Sequence, residues 1–309
     1  MLPRSFQLAH AKLNLGLRVL GRRADGYHLI SSLFVPIELA DRISIDLGGG
    51  DLISLEINGV SDMPNGRENL AVRAAEAYMD LLGTRRGLMI GLHKLIPIAA
   101  GLGGGSSDAA AVLLALQELV PGISKTSLLG IAQDLGSDIS FFLRSPLTAA
   151  WVSGVGEVVE PVRRDLPNLF VVIVNPGLPL LTERVFKTQA ALSRRDSALT
   201  PEIKNSRLSA VEALQDFSSG DLSEALLSRL VEVLGNDLEP AALELCPQIS
   251  RLRQKMVKAG AEIIGLSGSG PSLYALFSKA EESHQFAKRL EPLLDRGERY
   301  WCTRFLSTS

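Results

Sequence analysis

The chain has 309 residues, and 32 Lys and Arg against 34 Asp and Glu give a formal net charge of −2. Nucleic-acid binding usually needs a basic excess, which is absent, and the longest apolar run, residues 169–174, is far shorter than the ~18 residues of a membrane span. The N-terminus lacks the apolar stretch of a signal peptide, and two distant cysteines, Cys246 and Cys302, fit a reducing compartment. We therefore predict a cytoplasmic two-domain protein that acts on a small molecule, with no nucleic-acid, membrane or structural zinc partner.

The N-terminal segment is predicted to form strands. Residues 9–19 alternate between apolar and polar side chains, which indicates a strand with one face in the core. A turn over residues 21–26 leads to a second extended segment over 29–39. Residues 42–47 and 52–57 flank three glycines and an aspartate, and this pattern predicts a hairpin.

Helices then enter the pattern. A helix is predicted over residues 69–82, where Gly83 ends it, and a strand over residues 88–96. Two more helices are predicted, one from about Ala109 to Leu119 and one over residues 125–135. Strands and helices that mix without a strict βαβ rhythm indicate an α+β fold.

A charged, proline-bounded connector over residues 161–167 follows a predicted hairpin at 147–159. We place the domain boundary in this connector, which gives domains 1–162 and 163–309. The second domain is predicted to contain the elements that follow in chain order: a buried strand at 169–175, helices separated by polar segments around 193–200 and 218–220, an amphipathic helix at 246–259, strands at 262–267 and 273–278, and a final helix and strand.

The glycine loop, defined as residues 97–107, is the strongest chemical signal. It places four glycines within residues 101–105 and continues into an alanine- and leucine-rich helix. Glycines let backbone N–H groups approach a ligand closely, and a helix N-terminus attracts anions. Ser106, Ser107 and Asp108 are predicted to supply the N-cap of the helix. We therefore predict a phosphate site, against the simpler alternative of a turn that packs a helix on a strand.

Two better-known phosphate loops do not fit this stretch. A P-loop needs a lysine directly after its last glycine, and none is present. The dinucleotide motif needs a third glycine where this chain has Ser106. Together with the missing βαβ rhythm, this disfavours a dinucleotide-binding enzyme.

Lys12 and Asn14 lie on the polar face of the first predicted strand, so their side chains project the same way. Two interpretations stay open for Lys12. It belongs either to a solvated strand face or to a site where a fixed positive charge stabilises a reacting group.

Two further features have both structural and functional interpretations. Asp138 follows the helix at 125–135, so it is either a cap or a carboxylate made more basic by apolar neighbours. The SGSGP turn, residues 267–271, joins two predicted strands, and it gains functional meaning only if it meets the glycine loop in space.

Taken together, residues 11–14, the glycine loop and the SGSGP turn resemble the three motifs of the GHMP small-molecule kinases. Within that superfamily, the segment from Lys12 to His28 resembles the branch that acts on a cytidine-diphosphate-linked methylerythritol in the non-mevalonate isoprenoid route. The resemblance extends over nearly the whole chain. Ala99 and Ala100, where some members have glycine, and Asp108, where others have asparagine, are local differences.

The resemblance implies a two-domain α+β GHMP fold with the active site in the cleft between domains. It implies ATP-dependent phosphorylation of the substrate's 2-hydroxyl with Mg²⁺, Asp138 as the catalytic aspartate and Lys12 as its paired lysine. The implied ATP site consists of Pro97, Ala99, Ala100, Gly101, Leu102, Gly103, Gly104, Gly105, Ser106 and Ser107.

The resemblance also implies a substrate site. Tyr27 and Phe186 would sandwich the cytosine, His28 would bind its edge, and Asn14 and Thr182 would line the remainder together with Asp138. No protein metal ligand is predicted, and the expected assembly is a monomer or weak homodimer.

Two other classes of function remain as alternatives. A sibling kinase for homoserine, mevalonate or a sugar would not need the nucleobase residues. A GHMP-fold binding protein without catalysis would not need both Lys12 and Asp138.

Overall fold

The computed structural model describes residues 4–60, 63–84, 86–144, 146–162, 166–193, 203–219 and 224–306. The chain divides into two compact units that interleave along the sequence. Unit 1 contains Met1–Ala11, Leu39–Ile98 and Gly103–Leu147, and unit 2 contains Lys12–Glu38, Ala99–Leu102 and Thr148–Ser309. Each unit is built from several segments of the chain, so the units do not correspond to a single boundary at 162/163. The division into domains 1–162 and 163–309 stays a prediction.

Two long strands supply residues to both units. Strand β1 (Arg4–Arg22) contains the predicted alternating segment and pairs with β2 (His28–Leu47). The sequence predicted two extended segments in place of β2, but the strand is continuous through Asp41. Asp41 is tolerated inside it because its buried carboxylate is paired, as described below.

The strands of unit 1 correct the predicted hairpin. Strand β4 (Leu88–His93) pairs antiparallel with residues 42–47 of β2, and β3 (Ile53–Asn58) pairs parallel with β4. Strand β4 therefore lies between the two segments that were expected to pair. Glycine is needed at position 87 for this insertion, because a Cβ there would lie 2.5 Å from the backbone oxygen of Gly49.

The helices of unit 1 follow local signals closely. Helix α1 begins after Asn69, whose side chain accepts a hydrogen bond from the Ala71 N–H, and ends at Gly83 in the left-handed conformation. Helix α1 packs against α2. The helices are α1 (Leu70–Leu82), α2 (Gly104–Leu119), α3 (Lys125–Leu135) and α4 (Ile139–Phe142).

Unit 2 contains two groups of strands. In the first, residues 30–34 of β2 pair with β5 (Ala150–Gly154), which forms the predicted hairpin with β6 (Val158–Pro161). The second is a four-stranded antiparallel sheet in the order β10-β7-β9-β8. Its strands are β7 (Phe170–Asn175), β8 (Ile264–Leu266), β9 (Leu273–Phe277) and β10 (Arg299–Arg304).

Helices of unit 2 share a buried apolar core with this sheet. Leu252 and Met256 of α9 and Phe286 of α10 are fully buried in it. The predicted helix at 246–259 is confirmed as α9, which begins two residues later than expected because Cys246 caps the preceding helix α8 and Pro247 separates the two. The helices are α5 (Thr182–Ser193), α6 (Ile203–Ser218), α7 (Glu224–Val233), α8 (Glu239–Leu245), α9 (Gln248–Lys258) and α10 (Ala280–Leu290).

The predicted α+β class is confirmed by this mixture of helices and mainly antiparallel sheets. The predicted polar segment at 194–200 lies outside the described residues. No helix within the described ranges is long and apolar enough to cross a membrane.

Candidate active site

Lys12 and Asn14 are buried within unit 2, with 4% and 2% of their surfaces exposed. The interpretation of Lys12 as part of a solvated strand face is therefore wrong. The Lys12 ammonium donates a hydrogen bond to Asn14 Oδ1 and lies 4.5 Å from the centre of the Phe34 ring. Asn14 in turn donates through Nδ2 to Ser32 Oγ at 3.3 Å. The strand thus holds the Lys12 side-chain nitrogen in a fixed, largely desolvated position.

The first part of the glycine loop, residues 99–102, also belongs to unit 2. Ala99 and Gly101 have φ values of 50° and 76°, and the Leu102 carbonyl accepts a hydrogen bond from the Lys12 backbone N–H at 3.0 Å. A Cβ on Gly101 would lie only 2.1 Å from the Ser267 carbonyl oxygen. Glycine is therefore required at position 101 both for conformation and for this close approach.

The SGSGP turn meets the glycine loop in unit 2. Ser267 Oγ donates to the Gly101 carbonyl at 3.0 Å and accepts from the Asn14 backbone N–H at 3.3 Å. A Cβ on Gly268 would lie 2.9 Å from Asn14 Oδ1. The spatial condition on which the functional interpretation of this turn depended is therefore met.

The second part of the glycine loop, residues 103–107, begins helix α2 in unit 1. Gly103 is the N-cap at φ 72°, and no side chain caps the helix. The prediction that Ser106, Ser107 and Asp108 form the cap is wrong, because Gly103 allows α2 to begin at Gly104, which places these residues inside the helix. The first N–H groups of an uncapped helix lack partners within the helix and are available to an anion.

A buried ionic triad, which consists of Lys94, Asp41 and Asp108, lies below this helix start in unit 1. Lys94 Nζ is 2.5 Å from Asp41 Oδ2 and 2.7 Å from Asp108 Oδ2. Asp41 Oδ1 also accepts the backbone N–H groups of Leu95 and Ile96, just before the glycine loop. The triad therefore joins β2 and the end of β4 to the second turn of α2.

The triad is adjacent to the first residue of α2 and carries an uneven charge. A Cβ on Gly104 would lie 3.3 Å from Lys94 Nζ. Burial, partly opposed by Lys94 and reinforced by Asp41, raises the pKa of Asp108 to about 7. Burial alone would lower the pKa of Lys94, but the charges of Asp108 and Asp41 outweigh it and raise that pKa. Asp108 Oδ1 has no hydrogen-bond partner among the described residues.

Sequence reasoning missed Lys94 and Asp41. A usable signal was present for Lys94, since a charged residue ends an apolar strand directly before the glycine loop. Asp41 carried no comparable signal, because a single aspartate within an extended apolar segment is also typical of a bend.

Asp138 lies in unit 1 immediately before α4, with its side chain half-buried beside the buried Phe141 and Phe142. Its carboxylate makes no capping hydrogen bond to α4, so a helix cap does not explain it. Pro97, which was predicted for the ATP site, is half-buried in unit 1 where the chain leaves Ile96.

The residues predicted for the nucleobase lie in unit 2. The rings of His28 and Phe186 stack with centres 5.1 Å apart and an angle of 23° between planes. Burial, and secondarily the charge of Arg22, lowers the pKa of His28, and its buried Nε2 has no partner among the described residues. Tyr27 is 66% exposed, and its predicted stacking role stays a prediction. Thr182 Oγ1 lies 2.9 Å from Ser269 Oγ of the SGSGP turn.

Among the described residues, no group of three or more His, Cys, Asp or Glu side chains is arranged to hold a metal ion. The chemistry that these residues offer consists of backbone N–H groups for an anion, a buried ammonium, a half-buried carboxylate and a stacked aromatic pair.

Two family descriptions match the sequence. They are GHMP kinases N terminal domain, over residues 69–145, and GHMP kinases C terminal, over residues 210–292. The first match contains the whole glycine loop and Asp138, and the second contains Asn236 and the SGSGP turn.

Curated relatives match over nearly the full chain. The 4-diphosphocytidyl-2-C-methyl-D-erythritol kinase of Syntrophotalea carbinolica is 39% identical over 285 residues, which cover 92% of this chain and 93% of the relative. The enzyme of the same name from Mesorhizobium japonicum is 41% identical over 285 residues, covering 91% and 88%.

Solved structures give the same assignment. A crystal structure of 4-(cytidine 5'-diphospho)-2C-methyl-D-erythritol kinase matches with a TM-score of 0.77 and 36% identity over 98% of this chain and 100% of that chain. Mevalonate kinase of L. major, solved in complex with R-mevalonate, matches with a TM-score of 0.68 at 17% identity, covering 97% and 95%, which shows the fold alone. The chain therefore belongs to the 4-diphosphocytidyl-2-C-methyl-D-erythritol kinases, a family of ATP-dependent small-molecule kinases within the GHMP superfamily.

Proposed function

We propose that this protein transfers the γ-phosphoryl group of ATP to the 2-hydroxyl of 4-diphosphocytidyl-2-C-methyl-D-erythritol, in the non-mevalonate route to isoprenoid precursors. The observation that carries the proposal is the 39% identity to a kinase of this name over more than nine-tenths of both chains. The local chemistry supports it, because the anion-binding helix start and the His28–Phe186 stack fit the two ends of such a reaction.

The glycine loop binds the ATP phosphates. Its glycines at 101 and 103 adopt positive φ, and α2 begins without a side-chain cap, so backbone N–H groups are available to phosphate oxygens. When bound, Mg²⁺ would neutralise part of the phosphate charge. A near-neutral chain can bind polyanions in this way because the backbone supplies the attraction.

Lys12 and Asp138 carry the chemistry. Asp138 accepts the proton of the attacking 2-hydroxyl, a role for which a half-buried carboxylate is suited. Lys12 supplies a fixed positive charge that stabilises the developing alkoxide. Phosphoryl transfer requires mainly such positioning and charge neutralisation.

The cytidine end is bound by aromatic residues of unit 2. Phe186 stacks on His28 and offers a flat apolar surface, and the unpartnered His28 Nε2 offers one hydrogen-bonding group to a base edge. Tyr27 covers the other face of the base, and Asn14 and Thr182 contact the remainder of the substrate. The lowered pKa of His28 favours a neutral imidazole, which can serve an uncharged base.

The decisive experiment compares three acceptors with Mg-ATP: the cytidylated methylerythritol, mevalonate and homoserine. We expect ADP and a phosphorylated product with the first acceptor alone, identified by mass. Turnover with mevalonate or homoserine instead would show that the protein has the activity of a related GHMP kinase. Binding of ATP without turnover of any acceptor would favour a non-catalytic binding protein.

The cytidine pocket has its own test. In Phe186→Leu, which keeps apolar bulk but removes the stacking face, we expect KM for the cytidylated substrate to rise about tenfold while KM for ATP stays unchanged. The matched control is Phe277→Leu, the same substitution in the core of unit 2. Equal substrate KM values in the two variants would contradict the pocket.

We further propose a cytoplasmic enzyme that works as a monomer or weak homodimer, without nucleic-acid or membrane partners. Sedimentation at micromolar concentration tests the assembly, and a stable larger oligomer would contradict it.

A further inference from the structure

Asn236 is a buried polar residue between α7 and α8 of unit 2, with 8% of its surface exposed. Both of its amide hydrogens and its oxygen are used. Nδ2 donates to the Leu266 carbonyl at 2.9 Å and to the Gly268 carbonyl at 2.7 Å, and Oδ1 accepts from the Leu238 N–H at 2.9 Å. A buried amide that is hydrogen-bonded to two carbonyls and one N–H fixes the positions of these three backbone groups relative to one another.

The carbonyls that Asn236 binds flank Ser267 in the SGSGP turn. Ser267 Oγ in turn donates to the Gly101 carbonyl and accepts from the Asn14 N–H. This region has little space, since a Cβ on Gly101 would lie 2.1 Å from the Ser267 carbonyl oxygen. A small shift of the turn must therefore shift Gly101.

The next residue ties the same segment to β1. The Asp237 N–H donates to the Leu17 carbonyl at 3.0 Å, and its carboxylate accepts from the Val19 N–H at 2.8 Å and from Arg18 at 3.2 Å. The segment at 236–237 therefore holds the strand that carries Lys12 and the turn that holds Gly101.

We propose that Asn236 is a positioning residue for ATP: it fixes the SGSGP turn against the glycine loop and so sets nucleotide affinity without touching the nucleotide. The inference rests on the proposed role of the glycine loop in ATP binding. Asparagine is required here because aspartate lacks the two N–H donors and would bring a negative charge against two carbonyl oxygens.

The test measures binding of a non-hydrolysable ATP analogue by calorimetry, without an acceptor, so that the result does not depend on which alcohol is phosphorylated. We expect Asn236→Ala to weaken binding about tenfold to a hundredfold, because two buried carbonyls lose their donors. The control is Leu252→Ala in the core of unit 2, measured where both variants are folded by circular dichroism. Control affinity equal to that of the wild type is expected, and equal weakening in both variants would overturn the proposal.

A double-mutant cycle with Ser267→Ala tests the route. If Asn236 acts through the turn, its substitution has a much smaller effect once Ser267 can no longer hold Gly101. Additive effects on affinity would overturn the proposal.

A measurement on the unmodified chain covers the case in which the variants do not fold. We expect saturating ATP analogue to slow hydrogen exchange in peptides spanning residues 234–238 and 266–272. ATP binding without slower exchange in either peptide would overturn the proposal, whereas failure to bind ATP at all would refute the proposed function itself.

Discussion

The two parts of the glycine loop are supported by different chemistry. Residues 99–102, in unit 2, are held by neutral hydrogen bonds from Ser267 and the backbone of Lys12. Residues 103–107, in unit 1, begin a helix whose second turn forms a buried ion pair from Asp108 to Lys94, which also pairs with Asp41. The conformation of the first part of the loop thus depends on directional hydrogen bonds, and that of the second part depends on the balance of buried charges.

This difference separates two kinds of sensitivity. The neutral hydrogen bonds do not titrate. A substitution that removes one of them changes the geometry of the loop, so we expect it to change nucleotide affinity. Buried ions add little net stability when paired, but removal of one partner is costly because a bare charge stays in the interior. We therefore expect substitutions in the triad to change stability and its pH dependence.

The largest expected effect concerns Asp138, which lies in unit 1 but outside the triad. Asp138→Asn should lower kcat by about 10²–10⁴ because the proton acceptor is lost. Its free energy of unfolding should stay within about 1 kcal/mol of the wild type, since the side chain is only half-buried. Steady-state kinetics and urea unfolding measure the two quantities.

The matched control for Asp138 is Asp134→Asn, the same change at an exposed position of α3. Wild-type kcat is expected there. Full activity of the folded Asp138→Asn variant would refute its role as the base.

Lys94→Met tests the ionic side of the comparison. It leaves the carboxylates of Asp41 and Asp108 buried without their cation, and we expect the free energy of unfolding to fall by about 3–5 kcal/mol. The same substitution at Lys12, which donates to neutral Asn14, should cost less than half as much stability and act mainly on kcat. Equal losses of stability in urea unfolding would break the distinction between the two units.

Asp108→Asn tests the pH dependence. Because the folded-state pKa of Asp108 is raised to about 7 above its usual value of 3.8, the folded protein binds this proton more tightly than the unfolded chain does. The associated stability is complete below about pH 4 and is lost as the pH rises through 7. We expect Asp108→Asn to reduce the loss of stability between pH 5 and pH 8 by about 1–3 kcal/mol.

Urea unfolding across this pH range measures the effect, with Asp46→Asn as the control because Asp46 pairs with Arg4 nearer the surface. The control should follow the wild-type pH profile. Identical profiles for all three proteins would show that Asp108 does not titrate in this range.

Features encoded by neighbouring residues could be predicted from the sequence. Asn69 and Gly83 bound α1 where expected, because capping depends only on the local chain. The predicted hairpin between β2 and β3 was wrong, because β4 lies between these strands and pairs with both. Strand β4 comes about 30 residues after β3, so no local pattern indicates this pairing. The glycines at 48–50 suggested a hairpin turn, but the close approach in this region depends on Gly87, whose added Cβ would lie 2.5 Å from the Gly49 carbonyl oxygen.

The same limit applies to the site. Lys12, the glycine loop and the SGSGP turn form recognisable short motifs, but only the structure shows that the turn contacts the loop. The triad was missed because Asp41 and Lys94 are 53 residues apart, and a pairing at that separation leaves no local pattern. Asp108 was assigned to a cap for a related reason: the Ser-Ser-Asp pattern is typical of a helix start, and only the φ of Gly103 moves that start upstream.

The smallest expected effect lies in the neutral part of the loop, at Ala99. It is the one non-glycine residue with a positive φ among the described residues, at 50°, and this conformation costs an L-residue about 1–2 kcal/mol. Ala99→Gly relieves this strain but adds about 0.5–1 kcal/mol of backbone entropy cost, so we expect stability to rise by about 0.5–1 kcal/mol.

At Ala100, which does not have a positive φ, the same substitution should lower stability by a similar amount. Because backbone N–H groups bind the phosphates, ATP affinity in Ala99→Gly should stay within about twofold of the wild type. Urea unfolding and calorimetry measure both variants, and a fall in stability for Ala99→Gly would mean that the loop gains more from a restricted Ala99 than it loses to strain.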